Sequence, residues 1–426
     1  MLAREHHVVN TAMLSWPRFE AVLNPLHPHR FTFIPILRRV MTQLRIPAVY
    51  MRGGTSKGVF FHANDLPMDP VERDRILLRV IGSPDPYGKH IDGMGGATSS
   101  TSKVVILSKS PRADCDVDYL FGAVAVDKAI IDWTGNCGNL SAAVGPFAIA
   151  TGLVVAPPNG WATVRVWQAN IGKRIIAHVP MLDGEVREEG LFELDGVAFP
   201  AAEVKLEFLN PASDEGDDKA GTMFPTGNRV DMLLVPDLGE IEATLINAGN
   251  PTIFIHASSL GLKGTELPSA VNGNPALLAQ AEAIRAHGAV AMGLVATAAE
   301  ATEKRPHTPK LAFVAAPHTY TASDGKTVHE SSIDLLARIF SMGQLHHAMT
   351  GTGAVAIAVA GAIPGTLLFR TSARGSDGRV RIGHPSGSLG VGAEAKEVNG
   401  KWIVSKALMS RSARRLMEGW VRVPSA

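Results

Sequence analysis

Cysteine is nearly absent from the sequence: Cys115 and Cys137 are the only two in 426 residues. A disulfide scaffold is thereby excluded, and the reducing cytoplasm is the expected setting. Charge of one sign is missing too. The 41 Lys and Arg nearly cancel the 40 Asp and Glu, so there is no basic excess to hold nucleic acid or an anionic membrane surface. No run of ~18 or more strongly apolar residues offers a membrane span. The nearest approach, 354–368, is diluted by Ala, Gly and Pro364 and reads as a buried helix. No Cys/His cluster has metal-ligand spacing. Aromatics make up only 6% while glycine reaches 42 residues, a balance that suits tight turns and backbone that approaches a ligand closely. A length of 426 residues, 46% of them hydrophobic, exceeds one core and points to two domains.

Residues 1–40 differ from the rest. They hold four of the 15 histidines (His6, His7, His27, His29) and several prolines, with no steady period. They lack the apolar core and small-residue cleavage site of a secretory signal. The histidines have no helical i, i+4 pairing, which speaks against a metal site. The expectation is a poorly ordered extension, with the working chain beginning near Met41.

Self-comparison finds four echoes in the same order. Gly54–Leu66 resembles Gly249–Leu260, Lys103–Leu107 resembles Lys310–Val314, Cys137–Val144 resembles Thr350–Ile357, and Val164–Trp167 resembles Val380–Gly383. Two related halves follow, 41–217 and 218–426, joined near the acidic segment 213–218. In each half the pattern predicts a β-rich run (48–61; 243–255), an amphipathic helix (71–81; 275–287) and a second strand (103–107; 310–315). A glycine turn then feeds an Ala-rich helix (140–151; 354–362), and strands close the half (163–179; 379–391). The Ala-rich helix is apolar all round, so a sheet should wrap it. The fold class is α+β, with the crevice between halves as the default ligand site.

Glycine turns open both Ala-rich helices, and a helix N-terminus attracts carboxylate or phosphate. The segment 53–58 lacks the Lys-Ser/Thr of a P-loop. Gly351-Thr-Gly353-Ala-Val-Ala356 matches the dinucleotide fingerprint formally, but no good strand precedes it and no acid follows at the right distance. Carboxylate binding fits better, given the hydroxyls and amides of Thr55, Ser56, Ser99, Ser100, Thr101, Ser102, Asn139, Ser141, Ser386 and Ser388. Any one of these is an ordinary turn or cap residue; their concentration is not.

Cys137, in Gly135-Asn-Cys-Gly-Asn139, sits just before an apolar helix, where dipole and free N–H groups favour a thiolate. Cys115 lies in a polar segment and reads as inert. Lys103 leaves a hydroxyl-rich turn to enter an apolar strand. Facing a crevice, it would be desolvated toward neutrality and could act as a general base. Its echo, Lys310, warns that a lysine here can be structural. The echo of Cys137 is Thr350, so a racemase with one thiol on each face of a carbon is disfavoured.

Longer motifs carry a resemblance. Tyr50-Met-Arg-Gly-Gly-Thr-Ser-Lys-Gly-Val-Phe-Phe61, Val80-Ile-Gly-Ser-Pro-Asp-Pro-Tyr87, Ile91-Asp-Gly-Met-Gly-Gly-Ala-Thr-Ser-Ser-Thr-Ser-Lys103 and Gly135-Asn-Cys-Gly-Asn-Leu140 resemble the 2-methylaconitate isomerase family, PrpF type. So do 166–172, 349–354, Gly383-His-Pro-Ser-Gly387 and 409–414, and the likeness spans about 46–424. The resemblance implies a diaminopimelate-epimerase-like fold of two similar domains, each a curled sheet around a helix. It implies a cofactor-free isomerase of a small unsaturated tricarboxylate in the 2-methylcitrate cycle of propionate catabolism. Lys103 and Cys137 would be the catalytic pair. The same motifs supply the expected substrate-binding positions Arg52, Thr55, Ser56, Ser102, Gly138, Asn139, Gly351, Thr352, His384, Ser386, Gly387 and Ser388. Relatives of the same superfamily move double bonds in 4-oxalomesaconate or methylitaconate. A non-catalytic role beside an aconitase-like 2-methylcitrate dehydratase is the alternative of a different class, and a homodimer is left open.

Overall fold

The computed structural model describes residues 43–212, 222–372 and 379–424. The extension 1–40 and the acidic segment 213–218 anticipated from the sequence lie outside the described residues. The first seven principal strands are β1 (Leu44–Gly53), β2 (Ser56–His62), β3 (Lys103–Lys109), β4 (Val117–Val124), β5 (Gly160–Gln168), β6 (Lys173–Leu182) and β7 (Glu203–Leu209). Eight follow: β8 (Asp231–Val235), β9 (Gly239–Ala248), β10 (Asn250–His256), β11 (Lys310–Ala315), β12 (Leu335–Ser341), β13 (Arg379–His384), β14 (Gly387–Val398) and β15 (Lys401–Val423). The helices that matter are α1 (Pro70–Ile81), α2 (Ser141–Ala150), α3 (Pro275–Ala291) and α4 (Gly351–Ala362).

Strands β1 to β7 pair in chain order, and β15 closes the ring by pairing with both β7 and β1. The result is a barrel around α2. Strands β8 to β15 likewise pair in chain order and curl around α4. From β1 to β6 the successive pairings are antiparallel, parallel, antiparallel, parallel and antiparallel, and β9 to β14 repeat that succession. One strand belongs to both sheets. β15 pairs with β14 over 401–408, with β7 over 406–412 and with β1 over 413–423. The chain's end thus crosses the expected division at residue 217.

Burial on two sides explains the central strands. Val105 and Leu107 of β3 join the core around α2, while Val104 and Ile106 pack toward α1. In the other sheet Ala312 and Val314 of β11 face α4, and Leu311 and Phe313 face α3. A strand covered on both faces needs a continuous apolar run, and both have one. The same alternation turns Lys103 and Lys310, two residues earlier on the α2 and α4 sides, toward the inside. Residues 141–148 of α2 and 351–361 of α4 are buried throughout. Small residues let the strands come close: a Cβ on Gly145 would stand 2.7 Å from Val179 Cγ2.

The β-rich run 48–61 and the closing strands 163–179 and 379–391 agree with the expectation, each resolving into two strands joined by a turn where glycine or Pro-Ser interrupts; the helix bounds differ. The helix expected over 275–287 continues to Ala291, where Gly288 lies against Ile253 of β10 and Ala289 joins Ala286 and Ala301 in a small apolar cluster. The helix expected from 354 begins at Gly351, since Thr350 Oγ1 accepts the N–H of Gly353 at 3.1 Å and caps it. No helix among the described residues is long and apolar enough to cross a membrane.

Candidate active site

The two buried helices meet N-terminus to N-terminus. A Cβ on Gly138 would lie 2.7 Å from the carbonyl carbon of Gly351, and one on Gly351 would run into the Gly138 backbone. Only glycine permits this approach. Cys137 Sγ accepts the N–H of Leu140 at 3.5 Å, as Thr350 Oγ1 accepts that of Gly353. Thiol and hydroxyl thus each accept an N–H three residues on, at the entries of two facing helices whose positive ends converge on one crevice.

Lys103 comes off β3 onto this spot. Its Nζ donates to Ser56 Oγ at 2.8 Å and to Cys137 Sγ at 3.3 Å, over the Phe121 ring at 5.8 Å. Lys103 and Cys137 are 6% and 7% exposed. The β1–β2 turn delivers Ser56 and Thr55, with Gly54 at φ +50°. Asn139 Nδ2 donates to Thr55 Oγ1 (3.0 Å) and to the Met349 carbonyl (3.3 Å), tying the two halves together. Behind it, Arg411 Nε donates to Asn139 Oδ1 at 2.9 Å. Arg411 is fully buried with no carboxylate partner among the described residues, and burial brings its guanidinium down to about 10. Thr352 Oγ1 accepts from Asn250 Nδ2 at 3.2 Å, and Asn250 also holds both backbone groups of Asn136. The side-chain amide of Asn136 itself is buried with neither atom partnered among the described residues.

A second buried lysine lies under the same turn. Lys310 Nζ shares a hydrogen bond with His307 Nδ1 (3.1 Å) and donates to Ser341 Oγ (2.9 Å). His307 Nε2 reaches the Asn136 carbonyl at 3.4 Å. With the carbonyl accepting, Nε2 carries the hydrogen and Nδ1 is the acceptor. Burial, then Lys310 and Lys103, hold His307 well below its ordinary value and so neutral.

The remaining expected positions are placed differently. Arg52 spends Nη1 on backbone carbonyls of Gly54 and Ser412 and the Ser412 hydroxyl, bracing β1 against β15. Ser102 turns to His90 Nδ1 at 3.2 Å, away from Lys103. His384 accepts the Ser386 N–H with Nδ1 at 3.2 Å, and burial, then Arg338 and Arg411, push it down to about 3. Ser386 Oγ donates to the His347 carbonyl at 2.5 Å. The Ser388 N–H donates to Asp195 at 2.6 Å, and the same carboxylate packs against Gly387. Ser386–Ser388 thus form a rim already engaged by an acid of the chain. Beside that rim, Ser100 Oγ and His347 Nδ1 stand 3.4 Å apart at a cleft of about 740 Å³, lined also by Ser99, Val124, Asn272 and His346.

Sequence reasoning did not single out Arg411, Asn250, His307, Ser341, His347 or Asp195. Arg411 had a signal, since it lies in a quoted motif; Lys310 had one as the echo of Lys103. Asp195 had none. Among the described residues no group of three or more His, Cys, Asp or Glu could hold a metal ion.

A barrel and a curled sheet, each around a buried helix, define a diaminopimelate-epimerase-like protein. The solved structure of a hydroxyproline epimerase from Agrobacterium vitis shares this fold, with a TM-score of 0.51 at 13% identity over 89% of this chain and 93% of its own. The chain belongs to the PrpF protein family, whose model matches residues 43–424. It is 62% identical over 389 residues to the 2-methyl-aconitate isomerase of Shewanella oneidensis, covering 90% of this chain and 98% of that one. A solved methylitaconate-delta-isomerase superposes with a TM-score of 0.70 at 42% identity, over 90% of this chain and 96% of its own.

Proposed function

We propose that the protein is an isomerase interconverting 2-methyl-trans-aconitate and 2-methyl-cis-aconitate by removing and returning one proton. The observation that carries this reading is the Lys103 Nζ–Cys137 Sγ contact of 3.3 Å where two helix N-termini abut. The substrate has a methylene between a carboxylate and a conjugated alkene. Once its ammonium proton has passed to solvent, Lys103 takes a proton from that carbon, and the electron pair enters a dienolate. The former double bond now has single-bond character and rotates. Return of the proton to the same carbon, by Lys103 or relayed by Cys137, re-forms the alkene with the other geometry. Helix N–H groups and Ser56 meet the carboxylates and the growing enolate charge. The 62% identity to a 2-methyl-aconitate isomerase, against 42% to a methylitaconate isomerase, supports this substrate over an allylic one.

The repeated succession of pairings supports a duplication of one α+β unit, 41–217 and 218–426, with β15 shared between the copies. Purified protein incubated with 2-methylaconitate, methylitaconate, 4-oxalomesaconate and trans-aconitate, followed by proton NMR, tests the function. Fast conversion of 2-methylaconitate without any added protein is expected. Turnover only in the presence of a dehydratase would favour an accessory role, and preference for methylitaconate would favour allylic isomerisation.

A further inference from the structure

Lys103 stands at the crevice and Lys310 behind the glycine turn, on the far side of His307, and no carboxylate bonds either one among the described residues. Lys103 donates to Ser56 and Cys137; Lys310, 2% exposed, to His307 and Ser341. The charged and titratable groups around Lys310 include Lys103 of β3, Arg285 of α3, Cys137 of the glycine turn, His307, His346 (itself held neutral by burial) and one acid, Asp132. Asp132 is already committed: its carboxylate accepts the His307 N–H at 2.8 Å and the Thr134 N–H and hydroxyl at 2.8 and 2.6 Å. Arg285 is paired with Glu282 at 2.7 Å. Arg411 and the starts of α2 and α4 add further positive potential at the crevice. The chain therefore gathers like charge in a dry place, with no carboxylate of the described residues bonded to either lysine.

We propose that Lys310 is a charge-recognition residue of this crevice, binding a proton from solvent as a polycarboxylate binds, so that ligand and proton enter together. The inference rests on the polycarboxylate reading above and adds a residue and a linkage to it. Burial, then the Lys103 charge, brings Lys310 down to about 7 in the empty protein. An anion in the crevice offsets the Lys103 charge and favours the ammonium. Above neutrality the complex then holds one proton that the free protein lacks. His307 Nδ1 accepts from Lys310 in either protonation state, so no other bond need change.

Calorimetric titration of the full chain with propane-1,2,3-tricarboxylate, which has no double bond to isomerise, tests this. At pH 8, heats in buffers of different ionisation enthalpy should show uptake approaching one proton per site, and at pH 6 almost none. Affinity should fall as pH rises above 7, approaching about tenfold per unit. Lys310→Met should abolish the uptake and Cys137→Ser should retain it, whereas Lys103→Met, by removing the neighbouring charge, should move the onset of uptake to higher pH and reduce it at pH 8. Should Lys310→Met fail to fold, the wild type and the other two variants decide: uptake lost in Cys137→Ser, or undiminished at pH 8 in Lys103→Met, would assign the proton elsewhere and overturn the proposal. Binding by the wild type without uptake would overturn it alone. No binding at all would overturn the polycarboxylate reading as well.

Discussion

Lys103 and Lys310 each head the strand that runs parallel to the second arm of a hairpin, and each turns inward toward a buried helix. Their neighbours differ. Lys103 faces a thiol and Ser56, while Lys310 faces an imidazole and Ser341. The helix caps differ in step: Cys137 in one half, Thr350 in the other. One scaffold thus presents the same amine twice, and what stands opposite differs; on the proposed reading that difference separates a proton-transfer pair from a charge-balancing lysine.

The sharpest break of the comparison is chemical. Lys103→Ala should reduce kcat by about 10³-fold or more with the fold retained, because a positioned base acts mainly in the transition state. Cys137→Ser should be severely impaired as well. Cys115→Ser should remain near wild type in the same steady-state assay, its thiol being pushed up to about 11 by burial and then Asp114. Adding Thr350→Cys to Cys137→Ser should restore nothing, since the Lys310 amine is engaged by His307 and Ser341 and not by that cap. Recovery would show the two halves to be interchangeable.

Next in size is the contact where the halves meet. Gly138→Ala or Gly351→Ala places a methyl group against backbone rather than a flexible side chain. Each should cost about 1–3 kcal/mol in urea unfolding, and a cost near zero would mean that the helix ends move apart readily.

Lys310→Met sharpens the comparison through pH. Lys310 is held at about 7, below its unfolded value of about 10.5. Between these the unfolded chain binds a proton that the folded chain does not, so wild-type stability falls as pH drops through the window. The penalty is complete below about pH 7. The melting-temperature difference between Lys310→Met and wild type should therefore shift in favour of the variant from pH 9 to pH 6, and a pH-independent difference would contradict this. The smallest effect is expected at the rim. Asp195→Asn weakens the hold on Ser388 and should change KM a few-fold with kcat little altered, read from initial rates.

Much of this contrast was legible in the residues. The echo of Lys103 in Lys310 and of Cys137 in Thr350, the all-apolar helices and the glycine turns each have a local cause that a sequence displays. The role of β15 was not legible: its partners in β1 lie 360 or more positions away, and its burial pattern shows no steady alternation. Ser386 and Ser388 looked like free donors because their acceptors, His347 and Asp195, come from distant loops. The partners of Lys310 likewise arrive from separate segments, so the sequence revealed the second lysine but not its surroundings.

The central claim is that Lys103 and Cys137 form the proton-transfer pair of an isomerase. Running the reaction in D₂O with 2-methyl-trans-aconitate, and following both alkene geometry and methylene deuteration by NMR, tests it most directly. The wild type should isomerise the substrate and place solvent deuterium on the methylene carbon, and Lys103→Ala should do neither. Isomerisation with no deuterium incorporated in either direction, even at long times, would contradict the account.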